Sequence, residues 1–193
     1  MIKDYIKRRY GFLLFLLMLV LSRIFLWGIV SVSGDSMAPT FEEGQRLVAV
    51  NFSTISRFDV VTINSPLVPN EIYLKRVIGL PGEKVEMVDD VLSINGETVT
   101  ERFLLTYQLA FYHNKLRNIY EDDVNYQQIA SEATSFTEDF SIEVPQGEFF
   151  LMGDNRLISM DSRSNQIGTV KKSAIRNEAK LVFWPFNKVR FHL

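Results

Sequence analysis

The hydrophobic positions of the chain form one long run near its start and many short segments after it. Residues 11–32 carry a single charge, Arg23. A helix of about 20 apolar residues is long enough to cross the hydrocarbon core of a bilayer. The first ten residues are rich in Lys and Arg. This pattern predicts a basic N-terminal segment over residues 1–10 and a transmembrane helix over residues 11–32.

The alternative interpretation of this run is a signal peptide that is cleaved off. It fits less well, because no small-x-small site closes the run, which is also longer than the apolar region of an ordinary signal peptide. Basic residues favour the cytoplasmic side of a membrane. We therefore expect a single-pass protein of the cell membrane, with a cytoplasmic N-terminus and residues 33–193 as an extracytoplasmic domain that contacts membrane lipid.

The short apolar segments after residue 33 predict a mostly β domain. They are rich in β-branched and aromatic residues and are bounded by turn formers. Strands are predicted at Arg46–Val50, Asp59–Ile63, Glu71–Ile78, Lys84–Met87, Val91–Ile94, Phe149–Met152, Ile167–Val170 and Ala179–Trp184. Asp89-Asp90 is expected to close a hairpin, and Asn95-Gly96 is a second tight-turn signal. Period-2 alternation is lost over residues 103–133, which predicts a smaller inserted subdomain with some helix at about residues 100–145.

Composition excludes several classes of function. The 193 residues are 47% hydrophobic and 23% charged, as in folded proteins, and the net charge of −2 gives no sign of nucleic-acid binding. The chain has no cysteine, which excludes disulfides and thiol catalysis. It has only two histidines, His113 and His192, and no His-Glu-x-x-His motif, so we do not expect a zinc hydrolase.

Candidate chemistry begins with the turn Ser33-Gly-Asp-Ser-Met-Ala-Pro-Thr40, which can expose the hydroxyl of Ser36. A serine nucleophile needs a base, and neither histidine has a helpful sequence context. Lys75 is the better candidate, because strand alternation lets it face an apolar surround while Arg76 points away. An ordinary lysine, with a pKa of about 10.4, is almost wholly protonated at pH 7. Lys75 can therefore act as a base only if burial lowers its pKa.

A third stretch, residues 153–163, gathers carboxylates, hydroxyls and guanidiniums into one loop. Either Asp154 or Asp161 could pair bidentately with Arg163 and so fix the loop. Ser159 could then exchange a hydrogen bond with the amine of Lys75. Considered without the Ser36 and Lys75 stretches, these residues would be interpreted as surface ion pairs that contribute little to stability.

Together the three stretches resemble the signature boxes of bacterial type I signal peptidases. They are Ser33-Gly-Asp-Ser-Met-Ala-Pro-Thr40, Tyr73-Leu-Lys-Arg-Val-Ile-Gly-Leu-Pro-Gly-Glu83 and Gly153-Asp-Asn-Arg-x-x-Ser-x-Asp-Ser-Arg163, in that order behind an N-terminal anchor. The resemblance implies a β catalytic core with a smaller inserted subdomain and no cofactor or metal. It also implies a membrane-anchored serine endopeptidase that removes signal peptides from exported preproteins after small residues. The secretion machinery is a further candidate partner.

The resemblance also implies the roles of individual residues. Ser36 would be the nucleophile and Lys75 the general base, with Ser159 orienting the lysine. Structural support would come from Asp154, Asp161 and Arg163. Positions that match the shallow substrate pockets of the family are Val32, Met37 and Leu74.

The chain departs from some family members at the oxyanion hole. They carry a serine two residues before the nucleophile, where this chain has Gly34. The backbone N–H of Ser36 is then the donor to expect, and the loss of a second donor can cost about 10²–10³ in rate.

Two other functions fit the sequence less well. Gly34-Asp-Ser36 also resembles the nucleophile segment of Gly-Asp-Ser esterases, but His192 lacks the preceding aspartate that those enzymes use. The second is a non-catalytic binding or assembly module on a signal-peptidase-like fold, since a fold alone does not fix function. Such a module has no need of both Ser36 and Lys75.

Overall fold

The computed structural model describes residues 2–51, 54–113 and 124–191. In this part of the chain a long N-terminal helix precedes two β-sheets and two short helices. The helices are α1 (Ile2–Phe25), α2 (Leu105–Tyr112) and α3 (Val124–Glu132). The strands are β1 (Trp27–Ser31), β2 (Arg46–Val50), β3 (Val60–Asn64), β4 (Ile72–Gly79), β5 (Lys84–Val88), β6 (Val91–Ile94), β7 (Glu97–Thr98), β8 (Phe140–Glu143), β9 (Glu148–Met152), β10 (Val170–Lys171), β11 (Ile175–Trp184) and β12 (Arg190–Phe191).

The apolar run near the start of the chain divides into two elements. The expectation of helix up to Val32 is wrong for its last part, because α1 ends at Phe25 and residues 27–31 form β1. This strand pairs along its whole length with β2, which satisfies its backbone without a helix. Over the described residues, no helix combines the length and the hydropathy that crossing a membrane requires.

The larger sheet carries the candidate site. Its strands lie in the order β1-β2-β11-β3-β4-β9-β10, with β12 also paired to β11, and the pairs are antiparallel. Side chains alternate between its faces along β4. Leu74 packs in one buried cluster with Met37, whereas Val77 packs in another with Val61. A strand with apolar packing on both faces can bury the polar residues between these positions.

The smaller sheet has the order β7-β6-β5-β8. The hairpin expected at Asp89-Asp90 and the tight turn expected at Asn95-Gly96 are both present. Asp89 and Asp90 have φ of 49° and 62° between β5 and β6, the backbone that a tight hairpin turn needs. Three strands of this sheet precede residue 100. The inserted subdomain predicted at about residues 100–145 is therefore part of a larger structural unit that begins earlier in the chain.

Asp90 fastens the helical segment to the smaller sheet. Its carboxylate accepts hydrogen bonds from the Phe136 N–H at 3.0 Å and the Thr137 N–H at 2.5 Å, and also from the Tyr112 hydroxyl. Because these donors follow α3 and end α2, one side chain holds both helices in place.

Candidate active site

Ser36 lies in a tight turn between β1 and β2. The Ala38 N–H donates to the Asp35 carbonyl at 3.0 Å, and the Phe41 N–H donates to the Met37 carbonyl at 2.9 Å. Met37 and Phe41 are fully buried beneath the turn, whereas Ser36 is partly exposed. The apolar residues thus anchor a loop that presents a hydroxyl to solvent.

Lys75 lies in the middle of β4 and is buried, with 3% of its surface exposed. Its Nζ donates to the Ser159 Oγ at 3.2 Å and lies 5.4 Å from the centre of the Tyr73 ring. The predicted contact between Lys75 and Ser159 is therefore present. Within the described residues, no hydrogen bond joins the Lys75 Nζ to the Ser36 Oγ. In unliganded sites such bonds often form only when substrate binds.

Burial lowers the pKa of Lys75 from its ordinary 10.5 to about 8. The positive charge of Arg163 acts in the same direction, while the negative charges of Asp161 and Asp154 oppose it. At pH 7 about one lysine in ten is then neutral, against fewer than one in a thousand at the ordinary pKa. The site therefore supplies a neutral amine near physiological pH.

Asp161, rather than Asp154, is the partner of Arg163. The guanidinium donates to both carboxylate oxygens at 2.9 Å, and the Gly153 N–H adds a third hydrogen bond to Asp161 at 2.9 Å. Burial alone raises the pKa of Asp161, but these bonds and the Arg163 charge bring it below its ordinary value. The carboxylate therefore stays charged and holds both ends of the loop.

Asp154 instead pairs with Arg76, a contact that the sequence analysis missed. The two side chains form a bidentate ion pair with distances of 2.9 and 2.7 Å, and both are buried. Arg76 does point to the face opposite Lys75, as alternation predicts, but it lies against the Phe103 ring at 4.0 Å rather than in solvent. Residues 153–163 contain two arginines for their two carboxylates, but Arg156 pairs with Glu101, so the partner of Asp154 could not be inferred from this stretch alone.

Gly153 is the point where the serine turn and the Ser159 loop meet. A Cβ at this position would lie 2.3 Å from the Ser36 carbonyl oxygen and 2.1 Å from the Ser159 Oγ. Only glycine permits this approach without displacing the backbone. Ser159 in turn contacts Lys75. The close approach at Gly153 therefore brings the three predicted stretches into one site.

Asn155 joins the same two segments and was also missed. Its N–H donates to the Ser36 carbonyl and its Nδ2 to the Asp35 carbonyl, each at 3.1 Å. Its own carbonyl accepts from the Ser159 N–H at 3.0 Å. The sequence placed Asn155 inside the third motif but gave no reason to assign it a role.

The remaining predicted positions surround this cluster. Val32, Met37 and Leu74 share one buried apolar cluster, each with at most 8% of its surface exposed. Their role as substrate pockets stays a prediction. Gly34 has a φ of 73° and open space where a side chain would begin.

In residues 2–51, 54–113 and 124–191, no three His, Asp or Glu side chains are grouped so as to hold a metal ion. His113 is exposed after α2, and His192 lies outside the described residues.

A cleft of about 530 Å³ opens beside Ser159. Arg163 and Ser159 line one wall, while Ile129 of α3 and Phe136 line the other. The helical segment held by Asp90 thus faces the loop that contacts Lys75.

Fold and site together define the class of protein. A turn serine, a buried lysine of lowered pKa and an ordered polar loop, gathered on the larger of two β-sheets, are the arrangement of a β-rich hydrolase. Comparison with known proteins identifies the family.

The family model for signal peptidase, peptidase S26, matches residues 3–184. Signal peptidase I of Streptococcus pneumoniae (strain ATCC BAA-255 / R6) is 39% identical over 200 residues, covering 97% of each chain. Signal peptidase I T of Bacillus subtilis (strain 168) is 39% identical over 179 residues, covering 90% of this chain and 82% of that one. A solved signal peptidase I from Enterococcus faecalis V583 is 32% identical and covers 65% of this chain and 97% of its own, with a TM-score of 0.49.

The chain therefore belongs to the signal peptidase, peptidase S26, family. This membership confirms the resemblance to type I signal peptidases and the prediction of a serine endopeptidase, a hydrolase.

Proposed function

We propose that the chain is a membrane-anchored endopeptidase that removes signal peptides from exported preproteins with a Ser36/Lys75 dyad. The observation that carries this proposal is the buried amine of Lys75, held 3.2 Å from the Ser159 Oγ, with its pKa lowered to about 8. Burying a lysine amine costs free energy, and a purely structural role on a strand gives no reason for that cost. A general base must be neutral near physiological pH, and burial makes it so.

In the proposed reaction, neutral Lys75 accepts the proton of the Ser36 hydroxyl as Oγ attacks the scissile carbonyl carbon. The negative charge that develops on the carbonyl oxygen faces the N–H of Ser36. The protonated lysine then gives its proton to the leaving amine, and the peptide bond breaks to leave an acyl ester on Ser36. Water, deprotonated by the same lysine, hydrolyses the ester and restores Ser36.

The polar loop keeps this dyad in position. Ser159 fixes the direction of the Lys75 amine, while the Asp161–Arg163 pair holds the loop that carries Ser159. Arg163 also donates to the Arg156 carbonyl at 2.8 Å. These residues act through the dyad rather than on the substrate.

Substrate choice would depend on the apolar residues next to the turn. Val32, Met37 and Leu74 are the proposed borders of pockets for small side chains, which suits cleavage after alanine. They surround the Ser36 turn from within one apolar cluster. The printed names of the relatives, signal peptidases, support preproteins as the substrate class.

The N-terminal helix is the proposed membrane anchor. Its apolar side chains at residues 12–21 and 24–25 are 41% to 63% exposed, so the rest of the chain leaves them uncovered. Lipid would cover this surface, and the basic residues before it favour a cytoplasmic N-terminus. The catalytic domain would then lie at the outer face of the membrane, where preproteins emerge from the secretion machinery.

One reconstitution tests both parts of this proposal. The full chain is inserted into lipid vesicles, washed at alkaline pH and mixed with a preprotein that carries an Ala-x-Ala site. We expect the chain to stay with the vesicles and to cut once, after the second alanine, as read by product mass. Release by the wash would contradict the anchor. Binding of the preprotein without cleavage would contradict the peptidase and favour the non-catalytic binding module.

A further inference from the structure

The peptide unit between Asp35 and Ser36 holds the proposed oxyanion donor. Among the described residues, the N–H of Ser36 has no acceptor, so it is free to bind a developing oxyanion. The cis bonds of the described chain lie elsewhere, so this peptide is trans and planar, and its N–H points opposite to its C=O. The direction of the donor is therefore set by whatever holds the Asp35 carbonyl.

Two donors hold that carbonyl. One is the N–H of Ala38, which closes the turn itself at 3.0 Å. The other is the Nδ2 of Asn155 at 3.1 Å, which comes from a segment 120 residues away in sequence. The backbone N–H of Asn155 also holds the next carbonyl, that of Ser36, at 3.1 Å. One residue therefore fixes the peptide planes on both sides of the nucleophile.

In this position one acceptor atom of Asn155 is left without a hydrogen bond. Asn155 is 2% exposed, and its Oδ1 has no hydrogen-bond partner among the described residues. Leaving a buried polar atom without a hydrogen bond costs free energy. The amide cannot avoid this cost by turning over, because Oδ1 would then face the Asp35 carbonyl oxygen. This cost offsets what the Nδ2 hydrogen bond contributes to stability, so fold stability alone is a weak reason for an asparagine here.

From this geometry we propose that Asn155 is a positioning residue that aims the Ser36 N–H at the oxyanion. This inference rests on the proposed function, in which Ser36 attacks a carbonyl. A hydrogen bond to the Asp35 carbonyl also polarises the peptide and strengthens its N–H as a donor. Asn155 thereby takes part in compensating for Gly34, which offers no hydroxyl to the oxyanion.

The test compares wild type with Asn155→Ala on an Ala-x-Ala peptide. We expect kcat to fall by about 10–100-fold, since a misplaced donor costs less than the 10²–10³ of a deleted one. KM should stay near its wild-type value, and the pH at which activity rises should not move, because Lys75 is unchanged. Asn51→Ala is the matched control, since it removes an asparagine hydrogen bond to the Phe25 carbonyl, away from the site.

A pair of inhibitors separates aiming of the donor from general structural support. A peptide aldehyde forms a hemiacetal with the Ser36 Oγ and places its oxygen in the oxyanion position, whereas the matching peptide alcohol does not. We expect the wild-type preference for the aldehyde to shrink by about 10-fold or more in Asn155→Ala, while alcohol binding is unchanged. Asn155→Leu, close in size but without a donor, should behave alike. It decides the question if the alanine variant does not fold.

The outcomes distinguish this inference from the proposed function. A wild-type preference for the aldehyde that both Asn155 variants retain in full overturns the role of Asn155 alone. A wild type that neither cuts the peptide nor prefers the aldehyde overturns the proposed function and this inference with it.

Discussion

Replacing Ser36 with alanine is expected to lower the rate of preprotein cleavage by about 10⁴–10⁶-fold and to leave the fold intact. Removal of the nucleophile prevents the acyl ester from forming, and losses of this size are typical of nucleophile deletions in serine hydrolases. Ser36 is partly exposed, and among the described residues its hydroxyl makes no hydrogen bond. The free energy of unfolding should therefore change by no more than about 0.5 kcal/mol.

The measurement is single-turnover cleavage beside thermal unfolding of the same samples. Ser33→Ala is the matched control, because Ser33 is an exposed serine in the same turn. We expect this control to cleave at the wild-type rate. If Ser36→Ala kept more than about a hundredth of the wild-type rate, Ser36 would not be the nucleophile.

Replacing Lys75 with methionine is expected to have two opposite effects. Cleavage should fall by about 10²–10⁴-fold, the usual contribution of a general base. Stability at pH 7 should rise by up to about 3 kcal/mol, because wild type holds a buried lysine whose pKa is about 8 instead of 10.5. The loss of the hydrogen bond to Ser159 offsets part of this gain.

The stability gain of Lys75→Met over wild type should depend on pH. Between pH 8 and 10.5 the unfolded chain keeps the lysine proton that the folded chain has lost, so wild-type stability rises with pH in this window. The advantage of Lys75→Met should therefore be largest below pH 8 and vanish above 10.5. Lys84→Met, which removes an exposed lysine that pairs with Glu86, should change neither stability nor activity. An active Lys75→Met variant, or one less stable than wild type at pH 7, would contradict the assigned role.

Local signals predicted most of the fold. β2 has the predicted bounds, and the β5–β6 hairpin turns at Asp89-Asp90. The end of α1 could not be read from hydropathy, because an apolar strand and an apolar helix look alike until a pairing partner is known. The partner of β1 is β2, which lies across the Ser36 turn.

The same distinction between local signals and long-range contacts applies to the site. The burial of Lys75 followed from alternation on one strand, and its contact with Ser159 followed from motif chemistry. The pairing of Asp154 with Arg76 spans 78 positions and depends on how β4 meets β9, which no local pattern encodes. Asn155 was missed for a related reason. Its partners are backbone carbonyls, which every residue has, so the sequence does not indicate which of them it contacts.

The most direct test of the Ser/Lys account is the pH dependence of wild-type cleavage under single-turnover conditions from pH 6 to 10. The account predicts a rate that rises about tenfold per pH unit at low pH and levels off above a pKa of about 8, the value to which burial brings Lys75. A rate that is flat over this range, or one that still rises towards pH 10 as an ordinary lysine would require, would contradict Lys75 as the base.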